Sequence, residues 1–163
     1  MKLPEQAVIL LVENRDDDAS LVRRALHKAG VPNPFFAVQT GMEALSYLEG
    51  IGKYRNREKF PFPDIMLLDL KLPRMSGYDV IQSVRRNPEF KPLRIIVLTS
   101  QENLNDVNKA YELGANSFLV MPLEFENWDS MMRTLSSFWL HHGRNLGLTL
   151  HSNGQANGNG AAP

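Results

Sequence analysis

Asp64-Ile65-Met66-Leu67-Leu68-Asp69-Leu70-Lys71-Leu72-Pro73-Arg74-Met75-Ser76-Gly77 decides how this chain folds. The four apolar residues Ile65 to Leu68 read as the middle of a strand, Asp64 to Asp69, buried on both faces, as strands of a parallel sheet are. Asp69 stands where that strand leaves the sheet. A carboxylate there is either an ordinary cap of the next turn or a nucleophile on a rigid platform.

Working outward, the same pattern recurs. Ala7 to Val12 is continuously apolar and reads as a first buried strand, followed by a polar turn, Glu13 to Asp18. Ala19, Val22, Ala25, Leu26 and Ala29 then recur at helical spacing, with Gly30 as the stop. Phe35 to Val38 is a short strand, and Met42, Leu45 and Leu48 mark a helix closed near Gly50. Lys53 to Pro63 reads as a charged loop with aromatic residues in it. Beyond Gly77, Val80, Ile81 and Val84 mark a helix that Pro88 ends, and Leu93 to Thr99 is the fourth strand. Leu104, Val107 and Tyr111 mark a helix ended by Gly114, and Ser117 to Val120 is a fifth strand stopped by Pro122. Trp128, Met131, Met132, Leu135, Phe138 and Trp139 line one stripe of a last helix. Five strand–helix units in this order predict an α/β fold, a parallel sheet with helices on both faces, because the crossovers are right-handed.

The 163 residues fill one domain, residues 1–140, and leave an extension, 141–163. From about Ser152 the extension is rich in Asn and Gly and is expected to be disordered. Eighteen basic and 18 acidic residues cancel, which argues against a nucleic-acid binder that works through bulk positive charge. The chain has no cysteine, so disulfides, thiolate metal sites and thiol nucleophiles are excluded. No apolar stretch is long enough to span a membrane and no signal peptide is visible, so the cytoplasm is the expected location. His141-His142 form no metal site without a third ligand.

In an open parallel sheet, ligands sit beyond the carboxyl ends of the strands. Glu13-Asn14, Asp69, Thr99-Ser100 and Met121-Pro122 occupy those ends here. These fragments, in this order, resemble the receiver domains of two-component response regulators. The likeness rests on Ile9-Leu10-Leu11-Val12-Glu13, Leu67 to Gly77, Val97-Leu98-Thr99-Ser100 and Gly114-Ala115-Asn116-Ser117-Phe118. It covers roughly residues 6 to 140 and is strongest toward the stand-alone regulators that accompany cyanobacterial phytochromes and related histidine kinases. Those also carry a long charged loop before the third strand and an aromatic last helix, here ending in Phe138-Trp139-Leu140.

The resemblance implies a flavodoxin-like, doubly wound sheet of order 2-1-3-4-5 and a set of roles. Asp69 is the expected phosphoacceptor, and Thr99 the hydroxyl that binds a phosphoryl oxygen. Magnesium is expected on Glu13, Asn14, Asp69 and the Lys71 backbone carbonyl, all oxygen donors. Phe118 takes the position of the switch aromatic, and the Met121–Pro122 bond is expected to be cis.

Two residues depart from the family pattern. Asn14 stands where an acidic ligand is expected, so metal binding should weaken. Met121 stands where a lysine clamps the phosphoryl group; in its place Met is expected as a soft apolar plug. Arg15 is either a solvated turn residue or a cation that swings in to replace the lysine. Asp16, Asp17 and Asp18 read as first-turn acids that cap the helix and complement its dipole.

The expected function is that of a single-domain phosphoacceptor in a two-component phosphorelay, not an enzyme. A sensor histidine kinase, phytochrome-like in kind, is the expected donor. No helix-turn-helix or enzymatic pattern follows residue 140, so output is expected through a downstream protein or a homodimer, with no nucleic acid and no membrane. The alternative is a pseudo-receiver, the same fold acting as a phosphorylation-independent interaction module. A phosphohydrolase of the haloacid dehalogenase kind is set aside, because Lys71 sits where that chemistry needs an acid.

Overall fold

The computed structural model describes residues 7–99, 103–122 and 124–135. Ser100, Phe138-Trp139-Leu140, His141-His142 and the 141–163 extension lie outside the described residues. Five strands, β1 (Ile9–Val12), β2 (Phe35–Val38), β3 (Ile65–Leu68), β4 (Arg94–Thr99) and β5 (Ser117–Val120), form one parallel sheet of order β2-β1-β3-β4-β5. Helices α1 (Asp16–Lys28), α2 (Gly41–Glu49), α3 (Gly77–Arg86), α4 (Leu104–Leu113) and α5 (Phe125–Leu135) alternate with the strands. The predicted flavodoxin-like architecture is the observed one.

Side-chain alternation along the strands divides the core in two. Leu10, Val12, Met66, Leu68, Ile95 and Val97 face α2, α3 and α4, where they meet Tyr47, Leu48, Val80, Ile81 and Val84. Ile9, Leu11, Ile65, Leu67, Ile96 and Leu98 face α1 and α5 and meet Val22, Leu26, Trp128 and Met132. Each fully buried Leu or Ile contributes about 1.5–3 kcal/mol. The two apolar faces explain why these strands lack a polar alternation in sequence.

Helix ends set where the strands discharge. Ser76 caps α3 through a reciprocal capping box with Asp79. Thr40 accepts from the Glu43 N–H to start α2, and Asn103 does the same for Asn105 in α4. The Asp16 to Asp18 run is different from expectation. All three lie inside the first turn of α1, whose N-cap is Arg15 with no side-chain cap bond. They complement the helix dipole but do not cap it.

The segment before β3 is a folded element. Tyr54, in a 3-10 turn at Gly52–Tyr54, is buried against Tyr47 (centroids 4.9 Å apart) and Phe60 (5.1 Å). Arg57 donates to the carbonyls of Tyr47 (2.7 Å), Leu48 (2.5 Å) and Phe60 (3.1 Å). It therefore places a cation on the C-terminal carbonyls of α2, where the dipole favours it. Gly50, at φ +67°, ends α2 because an added Cβ would lie 2.6 Å from Arg57 Nε.

Candidate functional site

Register delivers the site. Val12 pairs with Leu68, so Glu13 and Asp69 leave two adjacent strands at the same level. Their backbone N–H groups continue the ladder, Glu13 N to Val38 O at 3.0 Å and Asp69 N to Val12 O at 3.0 Å. Glu13 is only 4% exposed, Asp69 is half-buried, and Thr99 at the end of β4 is buried. Asn14 is solvent-exposed.

The two carboxyls are hydrogen-bonded to each other. Burial pushes Glu13 up to about 7; the negative charges of Asp69 and Asp18 add to this, while the Arg15 N–H on Oε1 (3.1 Å) works against it. Asp69 is also raised, first by burial and then by the charge of Asp18. The Lys71 N–H on Oδ1 (3.1 Å), the Glu13 hydrogen bond and the Lys71 ammonium hold it down. With Glu13 raised this far, the pair keeps a proton up to near neutral pH, because low dielectric and like charge both oppose a second ionisation.

That arrangement fits a divalent cation. A hard, oxygen-seeking ion would replace the shared proton on Glu13 and Asp69, with the Asn14 amide and the Lys71 carbonyl as neutral donors. Among the described residues no three or more Asp, Glu or His side chains gather as a ready-made cluster, so the acidic donor set is a pair.

The turn after Asp69 is fixed by close packing. A Cβ at Gly77 would lie 2.5 Å from the Asp69 carbonyl oxygen and 2.6 Å from Leu70 Cα, and the Gly77 N–H donates to Leu70 O at 3.0 Å. Only glycine lets α3 start that near to the Asp69 backbone. Sequence reasoning used Gly77 only as a helix start; its position in the Leu67 to Gly77 run was the signal for more. Arg74 in the same turn adopts φ +67°, a left-handed conformation.

Phe118 and Met121 point to opposite sides of β5. Phe118 packs toward the α2, α3 and α4 side, and its N–H donates to the Tyr111 hydroxyl on α4 at 3.1 Å. Met121 packs into the α1 and α5 side cluster, with its N–H on Thr99 O at 2.6 Å. It is therefore part of that core layer. The Met121–Pro122 bond is not cis, contrary to expectation. It takes the trans form, which X–Pro bonds favour by about 0.5–1 kcal/mol. In that form the Pro122 carbonyl accepts from Trp128 Nε1 at 2.7 Å, tying the end of β5 to α5.

The model of the response regulator receiver domain matches residues 9–133. The chain belongs to that family. Response regulator Rcp1 of Synechocystis sp. is 34% identical over 133 residues, which cover 82% of this chain and 88% of that protein. The crystal structure of Mn2+-bound Rcp1 superposes with a TM-score of 0.72, covering 82% of this chain and 94% of that one. The phosphorylated cyanobacterial phytochrome response regulator RcpA is 31% identical with a TM-score of 0.75, covering 83% and 94%. RPA3017, a response regulator in red light signaling of R. palustris, is 28% identical with a TM-score of 0.77, covering 85% and 94%. The expected likeness of this receiver to regulators of phytochromes is borne out. No described helix is long and apolar enough to cross a membrane.

Proposed function

We propose that this receiver accepts a phosphoryl group from a sensor histidine kinase on Asp69 and passes the signal on through protein contacts. The observation that carries this reading is the convergence of Glu13 and Asp69 at the ends of two adjacent strands, with Thr99 buried at the end of β4. Asp69 Oδ1 is held by the Lys71 N–H, which orients the carboxylate for attack. The O–P bond forms, the P–N bond of the donor phosphohistidine breaks, and its electron pair returns to the imidazole. The Thr99 hydroxyl, buried at the neighbouring strand end, donates to a phosphoryl oxygen. Phe118 responds by packing alone, since it has no hydroxyl.

Glu13, Asn14, Asp69 and the Lys71 carbonyl would hold magnesium, weakly because Asn14 brings no charge. When bound, the ion offsets the negative charge that phosphoryl transfer accumulates. The Mn2+-bound form of Rcp1 and the phosphorylated form of RcpA support this assignment by analogy. RcpA and RPA3017 support a phytochrome-like kinase as the donor. Output through α4 and β5 is supported by apolar groups left in solvent there, Leu104 (72% exposed), Tyr111 (47%) and Val120 (36%). They would meet a downstream protein or a second copy, in the cytoplasm where such kinases keep their catalytic parts.

The second reading is the pseudo-receiver, favoured by the exposed, uncharged Asn14 and by Met121, an apolar side chain that brings no charge to the site. The test is treatment with phosphoramidate or beryllofluoride and magnesium, with Asp69→Asn alongside. An Asp69-dependent phosphoryl adduct supports the phosphoacceptor. Absence of any such adduct or fluoride complex leaves the pseudo-receiver.

A further inference from the structure

A phosphoryl group entering this site brings negative charge toward Glu13, Asp69 and Asp18. The end of β5 offers nothing to oppose it, because Met121 is apolar and committed to the α1 and α5 side core. Besides a divalent cation, positive charge is available from the rim loops, which carry Arg15, Lys71 and Arg74.

The structure separates these three. Arg15 pairs with Asp18 through Nε–Oδ2 at 3.6 Å, and its side chain is 69% exposed. What it gives the site is its backbone N–H on Glu13. Arg74 lies three residues further along, in its left-handed turn and exposed. Lys71 is anchored at the carboxylate itself, its N–H on Asp69 Oδ1 at 3.1 Å. Its long, exposed side chain starts one turn from the nucleophile, and its charge already acts on Asp69. A lysine ammonium on a flexible stem can follow a phosphoryl oxygen as it arrives.

We propose that the Lys71 ammonium is the phosphoryl-binding cation of this receiver, reaching the site from the β3–α3 turn. The inference rests on the phosphoacceptor reading of Asp69. In the step, Asp69 Oδ2 forms the O–P bond, the donor P–N bond breaks, and the leaving nitrogen takes its proton from water. Lys71 stays protonated throughout and contributes a charge-assisted hydrogen bond to a phosphoryl oxygen.

The full chain is treated with phosphoramidate and magnesium, and phosphorylation is followed by intact mass. The variants are Lys71→Met, Lys71→Arg, Arg15→Met, Arg74→Met and Asp69→Asn. Lys71→Met is expected to slow phosphorylation roughly ten-fold or more, the effect of losing one charge-assisted hydrogen bond. Lys71→Arg is expected to restore most of the rate, which a purely structural role for the stem would not predict. Beryllofluoride affinity, read by fluorine NMR, should fall in Lys71→Met and recover in Lys71→Arg, while the unfolding midpoint stays that of the parent. Wild-type rate and beryllofluoride affinity in Lys71→Met, or a loss carried by Arg15→Met or Arg74→Met in its place, overturns the proposal and leaves Asp69 as phosphoacceptor. No Asp69-dependent adduct in the parent chain overturns both.

Discussion

The carboxyl pair predicts an inverted dependence of stability on pH. Glu13 is raised from 4.5 to about 7 in the folded protein, chiefly by burial. Folded Glu13 therefore keeps a proton that the unfolded chain has released. Where the folded state binds more protons, stability falls as pH rises. The stabilisation is present in full below 4.5, declines between 4.5 and about 7, and is gone above. The interval of about 2.5 units corresponds to roughly 3 kcal/mol at 1.36 kcal/mol per unit. Asp69, also raised, adds in the same direction. Urea unfolding followed by tryptophan fluorescence, in chelator, between about pH 5 and pH 8 reads this directly. With a slope of 1–3 kcal/mol per molar urea, the midpoint should drop by about 1–3 M. Glu13→Gln should flatten the profile, and magnesium should flatten it too by binding the ionised pair. A metal-free midpoint that stays level or rises across this range would refute the shared-proton account.

Three further outcomes follow from local geometry. Gly77→Ala places a Cβ 2.5 Å from the Asp69 carbonyl oxygen, a backbone atom that cannot swing aside, so it should cost about 1–3 kcal/mol in urea unfolding and slow phosphorylation of Asp69. Arg85 donates to the carbonyls of Gly114 (2.9 Å), Leu93 (2.9 Å) and Lys91 (3.3 Å) and to Asn116 Oδ1 (2.8 Å). Arg85→Met should cost about 2–4 kcal/mol by the same assay, and Arg85→Lys should recover little, because an ammonium lacks the planar fork. Arg74→Pro, which forces φ from +67° to a negative value, should destabilise by more than about 1 kcal/mol, whereas Arg74→Gly should be neutral or slightly stabilising in thermal unfolding.

The strands were legible because the two core faces leave no polar position along Leu10 to Val12, Ile65 to Leu68 or Ile95 to Leu98. Glu13 and Asp69 were legible for the opposite reason: each is the first polar residue after such a run. The segment from Gly52 to Pro63 was not legible. Its order depends on Arg57 reaching carbonyls nine and ten residues earlier and on Tyr47 receiving Tyr54 and Phe60, none of which has a local period. Its basic residues read as a charged loop, yet Arg57 is spent on α2 and Lys53 on Glu43, at 2.7 Å.

Where the positive charge sits changes what the site can do. A cation buried beside the two carboxyls would hold both ionised at rest, since opposite charge in low dielectric favours the charged form. Here no side chain of β5 plays that part, and the pair carries a proton instead. Full ionisation of the pair is therefore harder, and a divalent cation or rising pH would favour it. A cation on the exposed β3–α3 turn favours the ionised Asp69 only weakly at rest, because solvent weakens its field. It can act once the phosphoryl group arrives and excludes water between them. Retaining Asp69, Glu13 and Thr99 while moving the cation to the rim thus separates two tasks that a buried lysine would combine: keeping the nucleophile ionised, and holding the group it receives.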